Sequence, residues 1–561
     1  MERACSDDSD ADLAARLAAL IDEAAGGGAG GAPGAAPCVA ALVLRPARDD
    51  LFIARGAAQV EFAIPATPST RFRIASVSKQ FVAAAAVLLH RQGRLDLDAV
   101  PALPGLKPGH SLRALLAMRS GLADDGSLAW LAAGNPWDPR RTLANVRQMA
   151  LAMPHRNFRP GSRDLYSNTG YAVAEAAIEA ATGEPLARTL HRLLFGPLGL
   201  QATVLLQGSS APALPGLASP YTGSAGRFVR AEWPVEEGAA GGIVSSAEDL
   251  ARWMRALHQG HPALDGVVAE LCRIAPFDGA EGQGHYGLGL RCGTMLGRRA
   301  MGHGGAINGC RAYVQWFPDD ACGLVLLANR TDVDMNLLAC RVTAALFGLL
   351  DPVAAAADKA APDAGEQGPT GLFLDPSLPE LVPVERAGNG LLRACGGHFT
   401  PFGCGRLRVL DLLQQLELGP VDAEGLVLTR DGAVTRRLQR VAVQPLDTWP
   451  MADRLAALGC YRAPGLPGRQ RIVMHRARPC LAIDPVVSDA DLLPLLPLGH
   501  DCFLVTDRSF TENSCVLRLD RAGNEVTGFT VSEDRLLGLR FDRVSAADEG
   551  RWLDQGSWPQ D

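Results

Sequence analysis

The sequence predicts an α/β (α+β) domain followed by two small antiparallel β-barrels. Three observations carry that reading. Strand patterns open and close the segment 38–350 with helical patterns between them, so one sheet is built from both ends of the segment. The stretch 351–384 is rich in Ala, Pro, Asp and Gly and reads as a linker. Beyond it, short strand patterns recur with tight turns between them, the texture of barrels or sandwiches. At 561 residues the chain exceeds one ordinary core, which agrees with two or three domains.

Taken in order, residues 1–37 read as an amphipathic helix and a flexible Gly/Ala linker. The apolar stretch Leu13 to Ala25 is broken at helical spacing by Arg16, Asp22 and Glu23, so it is neither a secretory signal nor a membrane span. Cys38–Arg45 and Leu51–Val60 are expected to form a hairpin. Ser76 to Gln92 carries Phe81, Ala84, Ala85, Val87 and Leu88 on one helical face. Strands are expected at Tyr313–Phe317 and Cys322–Ala328, and a helix from Met335 to Leu350. The two barrels are expected at 385–450 and 455–545, divided by a helical or polar interval at Asp447–Leu458.

Composition narrows the function. The 54 basic and 61 acidic residues leave a net charge of −7, and no basic stripe is interleaved with aromatics; a nucleic-acid or membrane-surface partner is not expected. Thirteen scattered cysteines without a Cys-x-x-Cys pair fit reduced structural thiols in a cytoplasmic protein. No metal site and no cofactor fingerprint is read. Lysine survives only at Lys79, Lys107 and Lys359. Where arginine serves everywhere else, a retained lysine points to chemistry that guanidinium cannot perform, such as giving up a proton near neutral pH.

Ser76-Val77-Ser78-Lys79 follows an extended segment and opens a helix. At about 100° per residue, positions i and i+3 share a face, so the Lys79 nitrogen reaches the Ser76 oxygen. The helix start offers free N–H groups to an oxyanion, and a desolvated lysine there is a better base than a solvated one. The alternative is a capping serine and a solvated lysine. Tyr166-Ser167-Asn168 precedes a second apolar helix; a phenol there can relay a proton and an amide can orient a carbonyl, though a plain helix-entry turn reads the same way. His303-Gly304-Gly305 precedes a strand whose glycines allow close backbone approach, and the N–H of Ala306 is placed to complete an oxyanion hole.

Together, and in this order, these segments resemble the penicillin-recognising serine hydrolases, specifically the branch of class C β-lactamases and related esterases and peptidases. Leu115-Leu116-Ala117-Met118-Arg119-Ser120-Gly121-Leu122, Gly241-Gly242-Ile243-Val244-Ser245-Ser246 and Tyr286-Gly287-Leu288-Gly289-Leu290 extend the resemblance across 38–350. It implies a serine β-lactamase/transpeptidase-like fold in which Ser76 is acylated, Lys79 and Tyr166 manage protons, and Ser76 and Ala306 hold the oxyanion. Asn168, His303 and Gly305 would face substrate. The family's third motif usually begins with lysine; His303 in its place attracts a carboxylate less strongly, which points to esters or to substrates without a nearby carboxylate. A catalytic domain with two lipocalin-like barrels resembles the three-domain D-aminopeptidases, in which a loop of the last barrel enters the active site. That resemblance places the loop near 501–515, with Asp507 or Glu512 set to meet a free amino group. The expected reaction is release of N-terminal D-amino acids from small peptides, amides or esters, with no cofactor and with a homodimer as one assembly. A carboxylesterase on the same scaffold and a non-catalytic ligand-binding protein are the alternatives.

Overall fold

The computed structural model describes residues 10–26, 36–206, 213–545 and 548, apart from 104–105, 107–108, 136–137, 139, 225, 233–234, 236, 279–284, 360–369, 377–379, 388–390, 402–405, 423–424, 431–432, 485, 487, 489–490 and 507–513. A six-stranded antiparallel sheet runs Arg291–Met295, Arg298–Ile307, Cys310–Phe317, Cys322–Ala328, Val39–Leu44, Leu51–Arg55 from edge to edge. The first and last portions of the domain are therefore neighbours at its centre, where Ala41 pairs with Leu326. Both central strands are buried along their whole length, and their continuous apolar runs are what a strand covered on both faces requires.

One face of the sheet meets the helices of the middle segment. The helix Ser78–Arg91 lies at their centre, with Phe81, Val82 and Ala83 to Val87 all buried. Its run of four alanines lets neighbours approach closely, and Phe81 stacks on Trp253 at 4.2 Å between ring centroids. The other face is covered by the helix Met335–Leu346 and by the N-terminal helix Asp10–Ala24. The sequence placed that N-terminal helix ahead of the domain as a lead-in. Its Leu13, Leu17, Leu20 and Ile21 recur at i, i+4, i+7 and i+8, and this stripe is buried against the sheet's outer face.

The two barrels are closed, eight-stranded and antiparallel, Gly371–Val441 and Gly459–Arg543. The first starts earlier than composition suggested. Strands Gly371–Asp375 and Glu380–Arg386, and before them the helix Pro352–Lys359, come from the stretch read as linker. Phe373, Val382 and Val384 point into that barrel's core, so the Pro and Gly around them mark a helix start and strand turns instead of an unstructured tether.

Candidate active site

Strand Arg71–Arg73 delivers the chain to a single 3-10 turn, Ala75–Val77, that runs into the helix Ser78–Arg91. Ala75 has a φ of +47°, a left-handed conformation uncommon for a residue with a β-carbon, which swings Ser76 out at the head of the helix. Lys79, one turn on, is fully buried. Its Nζ lies 3.1 Å from Ser76 Oγ, 2.8 Å from Asn168 Oδ1 and 2.6 Å from the Ala240 carbonyl oxygen. Two of these are acceptors only. A neutral Lys79 therefore donates to Asn168 and Ala240 and turns its lone pair to the Ser76 hydroxyl; a protonated one donates to all three. The same three atoms hold the nitrogen in both states, which is what a proton shuttle needs.

Tyr166 closes the other side. Its ring centroid is 5.0 Å from Lys79 Nζ, and its hydroxyl has no hydrogen-bond partner among the described residues. Asn168 is fixed from behind, its backbone N–H donating to Asp124 Oδ2 at 2.7 Å. With Oδ1 taken by Lys79, the Asn168 amide nitrogen is left unpartnered among the described residues, ready for a substrate carbonyl.

The strand Arg298–Ile307 forms the wall opposite. Pairing with Arg291–Met295 ends at Gly302, so His303 to Ile307 have a strand neighbour on one side only. Their free side faces the Ser76 turn, and a β-carbon on Gly305 would collide with the Ile74 carbonyl oxygen. Only glycine allows the strand this close, and the exposed Ala306 follows at the cleft. His303 is buried and fully engaged: Nδ1–H donates to the Gly304 carbonyl at 2.5 Å, and Nε2 accepts from Tyr286 Oη at 2.7 Å. Burial first, then the charges of Arg291 and Lys79, press its pKa well below the ordinary histidine value. Burial likewise holds the proton on Tyr286. His303 is thus a neutral prop for Tyr286, with neither nitrogen free for a substrate.

Sequence reasoning brought Ser76, Lys79, Tyr166, Asn168, His303, Gly305 and Ala306 to one place, and the structure assembles them around one cleft. Asp507 and Glu512 lie outside the described residues. Several neighbours were missed. Glu237 is half-buried, its carboxyl raised in pKa by desolvation despite Arg141 and Lys79, and it accepts from Arg141 at 3.3 Å. Arg291 and Arg535 flank Tyr166, their guanidinium carbons 5.9 and 4.8 Å from its ring centroid. Arg535 sits in the turn between the last two strands of the second barrel, Glu525–Glu533 and Leu536–Arg543. No local pattern marks a turn arginine as a neighbour of residue 166; only barrel docking creates that contact. Among the described residues, the one His/Asp group compact enough for a metal is Asp334, His398 and Asp411, where the first barrel meets the catalytic domain.

The profile of the family described as Beta-lactamase matches residues 17–347, more than half of the chain. The chain belongs to the β-lactamase family. Among curated proteins it is 28% identical over 302 residues to a D-aminopeptidase of Gluconobacter oxydans, a match spanning 52% of this chain and 56% of that protein. It is 26% identical over 485 residues to a D-aminopeptidase of Cereibacter sphaeroides, covering 83% of this chain and 87% of that one. Among solved structures, the octameric penicillin-binding protein homologue from Pyrococcus abyssi superposes with a TM-score of 0.54 at 17% identity, over 89% of this chain and 98% of the other. That likeness establishes the fold of this β-lactamase-family chain over nearly its whole length.

Proposed function

We propose that this protein is a serine aminopeptidase that releases N-terminal D-amino acids from small peptides, amides or esters through an acyl-enzyme on Ser76. The observation that carries the chemistry is the three-way grip on Lys79 Nζ by Ser76 Oγ, Asn168 Oδ1 and the Ala240 carbonyl beneath the Tyr166 ring. The similarity to a D-aminopeptidase over 83% of this chain supports the substrate class. Lys79 takes the Ser76 proton as Oγ attacks the carbonyl of the N-terminal residue. The N–H groups of Ser76 and Ala306 stabilise the oxyanion, and Asn168 holds the substrate amide. Tyr166 passes a proton to the departing amine, and water then releases the amino acid by the reverse relay. The described cysteines are all free thiols, which supports a cytoplasmic setting, and no described helix is long and apolar enough to cross a membrane.

The test compares D- and L-alanine p-nitroanilide with p-nitrophenyl butyrate, using the wild type and Ser76→Ala. Turnover of the D-anilide that Ser76→Ala abolishes is the expected result. Hydrolysis of the butyrate ester alone would move the protein to the carboxylesterases.

A further inference from the structure

Three sulfur atoms meet at the sheet edge, two residues before His303 in the strand Arg298–Ile307. Cys292 lies on the edge strand Arg291–Met295 and pairs directly with Met301, so their side chains share one face. Cys272 ends the helix Val267–Leu271 and reaches the same spot, its Sγ 3.6 Å from Met301 Sδ. The Cys272 and Cys292 sulfurs are also in hydrogen-bond contact. As a thiol Cys272 donates to Met301; as a thiolate it accepts from the Cys292 S–H. Both cysteines are free and partly exposed, and all three side chains pack on the rim of the main core. The hydrogen bond from Cys292, against desolvation and with help from the Arg299 charge, lowers the Cys272 pKa below the ordinary cysteine value. The same bond, together with burial, pushes Cys292 up. A lowered thiol in contact with a raised one is the pairing of an attacking and a resolving cysteine. Cys38, Cys310, Cys340 and Cys515 differ: burial raises each, which marks them as inert core thiols.

The pair also adjoins the wall of the cleft. The Leu271 carbonyl, just before Cys272, accepts from Leu288 N–H at 2.7 Å, and a β-carbon on Gly287 would collide with it. Tyr286, the next residue back, donates to His303. Drawing the two sulfurs from contact into a bond therefore pulls on the segment that carries Tyr286 and presses on Met301 in the strand that carries His303. We propose that Cys272 and Cys292 form a reversible disulfide when exposed to a small-molecule disulfide such as that of glutathione, and that this bond slows acylation of Ser76 by shifting Tyr286 and His303. The Cys272 thiolate attacks one glutathione sulfur, forming a mixed disulfide and releasing a glutathione thiolate, which takes the Cys292 proton. The Cys292 thiolate then attacks the Cys272 sulfur and expels the second glutathione, which takes up the proton that Cys272 gave to solvent. Two protein thiols are oxidised, and one glutathione disulfide is reduced to two glutathiones.

The test incubates the full-length protein with reduced or oxidised glutathione, maps its peptides without reduction, and times the labelling of Ser76 by a fluorophosphonate. Oxidised wild type should yield a peptide pair joined through Cys272 and Cys292, two hydrogens lighter than the separate peptides and split by dithiothreitol. Its labelling should slow by about threefold or more, since small displacements around a nucleophile are costly, and dithiothreitol should restore the rate. Cys292→Ser should halt with glutathione on Cys272, whereas Cys272→Ser should form no link and keep its labelling rate. Unlinked peptides in the oxidised wild type, or a link that leaves the labelling rate unchanged, would overturn the proposal.

Discussion

The two barrels share a topology but meet the catalytic domain over apolar contacts of very different extent. The second is welded to it by apolar burial: Leu128, Ala129, Trp130, Leu131 and Met153 of the catalytic domain belong to the same core as Tyr461, Leu481, Phe503 and Phe529 of the barrel. Polar contacts lock that core at its rim. Gln470 donates to the Leu131 carbonyl at 2.6 Å, Asn157 bonds the backbone of Arg535 and Leu537, and Ser127 donates to Glu533. The first barrel buries its apolar residues mainly in its own core. It touches the catalytic domain over a smaller apolar contact, Leu410 and Leu413 joining the core of Met295, Tyr313 and Cys340, and through polar contacts including the Leu413 carbonyl on Thr294 N–H, Gln415 on Thr294, and Arg430 on Asp164 at 3.2 Å. A barrel that shares a large core cannot leave without exposing it, whereas one that contributes a few apolar side chains loosens at lower cost. The shared core is also the one beside which Arg535 reaches the Tyr166 ring.

The largest expected effect comes from wedging the second interface. Gly468 has a φ of +93°, and a β-carbon there would strike the Ala132 carbonyl. Gly468→Ala should cost about 3 kcal/mol, combining strain with collision, and should lower activity as it tilts the barrel. The matching change at the first interface is Gly293→Ala, whose β-carbon would meet the Leu413 carbonyl without a positive φ. It should cost about 1–2 kcal/mol by equilibrium denaturation. Similar costs for the two would erase the distinction drawn between the barrels.

Glu533 gives the next effect. Burial raises its carboxyl pKa from 4.5 to about 7, with Asp534 and Asp124 adding to the rise while Ser127 and Arg535 oppose it. The folded chain then holds a proton that the unfolded chain has released between roughly pH 4.5 and 7, so stability falls as pH rises through that window. Glu533→Gln should remove the fall and leave the variant more stable than wild type at pH 8 by about 2 kcal/mol. A wild-type stability that does not decline across the window would contradict this.

The smallest effect belongs to the first barrel. Burial works against the charge on His398, but the Asp411 hydrogen bond at 2.7 Å and the charges of Asp411 and Asp334 outweigh it, so its pKa lies above the ordinary value of 6.5. Stability from this contact is present below pH 6.5 and is lost as pH rises through the raised pKa. His398→Gln should flatten that loss by about 1 kcal/mol, visible as a smaller shift of the denaturation midpoint between pH 6 and 9.

The centre of the candidate site was legible in the sequence because local rules place it. Ser76 and Lys79 are three apart at a helix start, and the glycines after His303 announce a close backbone approach. The continuous apolar run of Cys322–Ala328, which fits a strand buried on both faces, and the 3.6 period of Ser78–Arg91 identify their elements correctly. What escaped is long-range. The role of His303 depends on Tyr286, 17 residues away, which fills the nitrogen that a substrate would otherwise use. Glu237 and Arg535 face the site only because distant segments fold onto it. The strands at 371–386 were hidden by Pro and Gly that mark barrel turns as readily as linkers.

The central claim is that Ser76 becomes acylated by an N-terminal D-residue. Acid quenching during turnover of D-alanine p-nitroanilide, followed by mass measurement of the peptide containing Ser76, tests it most directly. The account predicts a D-alanyl adduct on Ser76 that never forms in Ser76→Ala or with the L-anilide. Undiminished D-anilide hydrolysis by Ser76→Ala, with no adduct in the wild type, would contradict it.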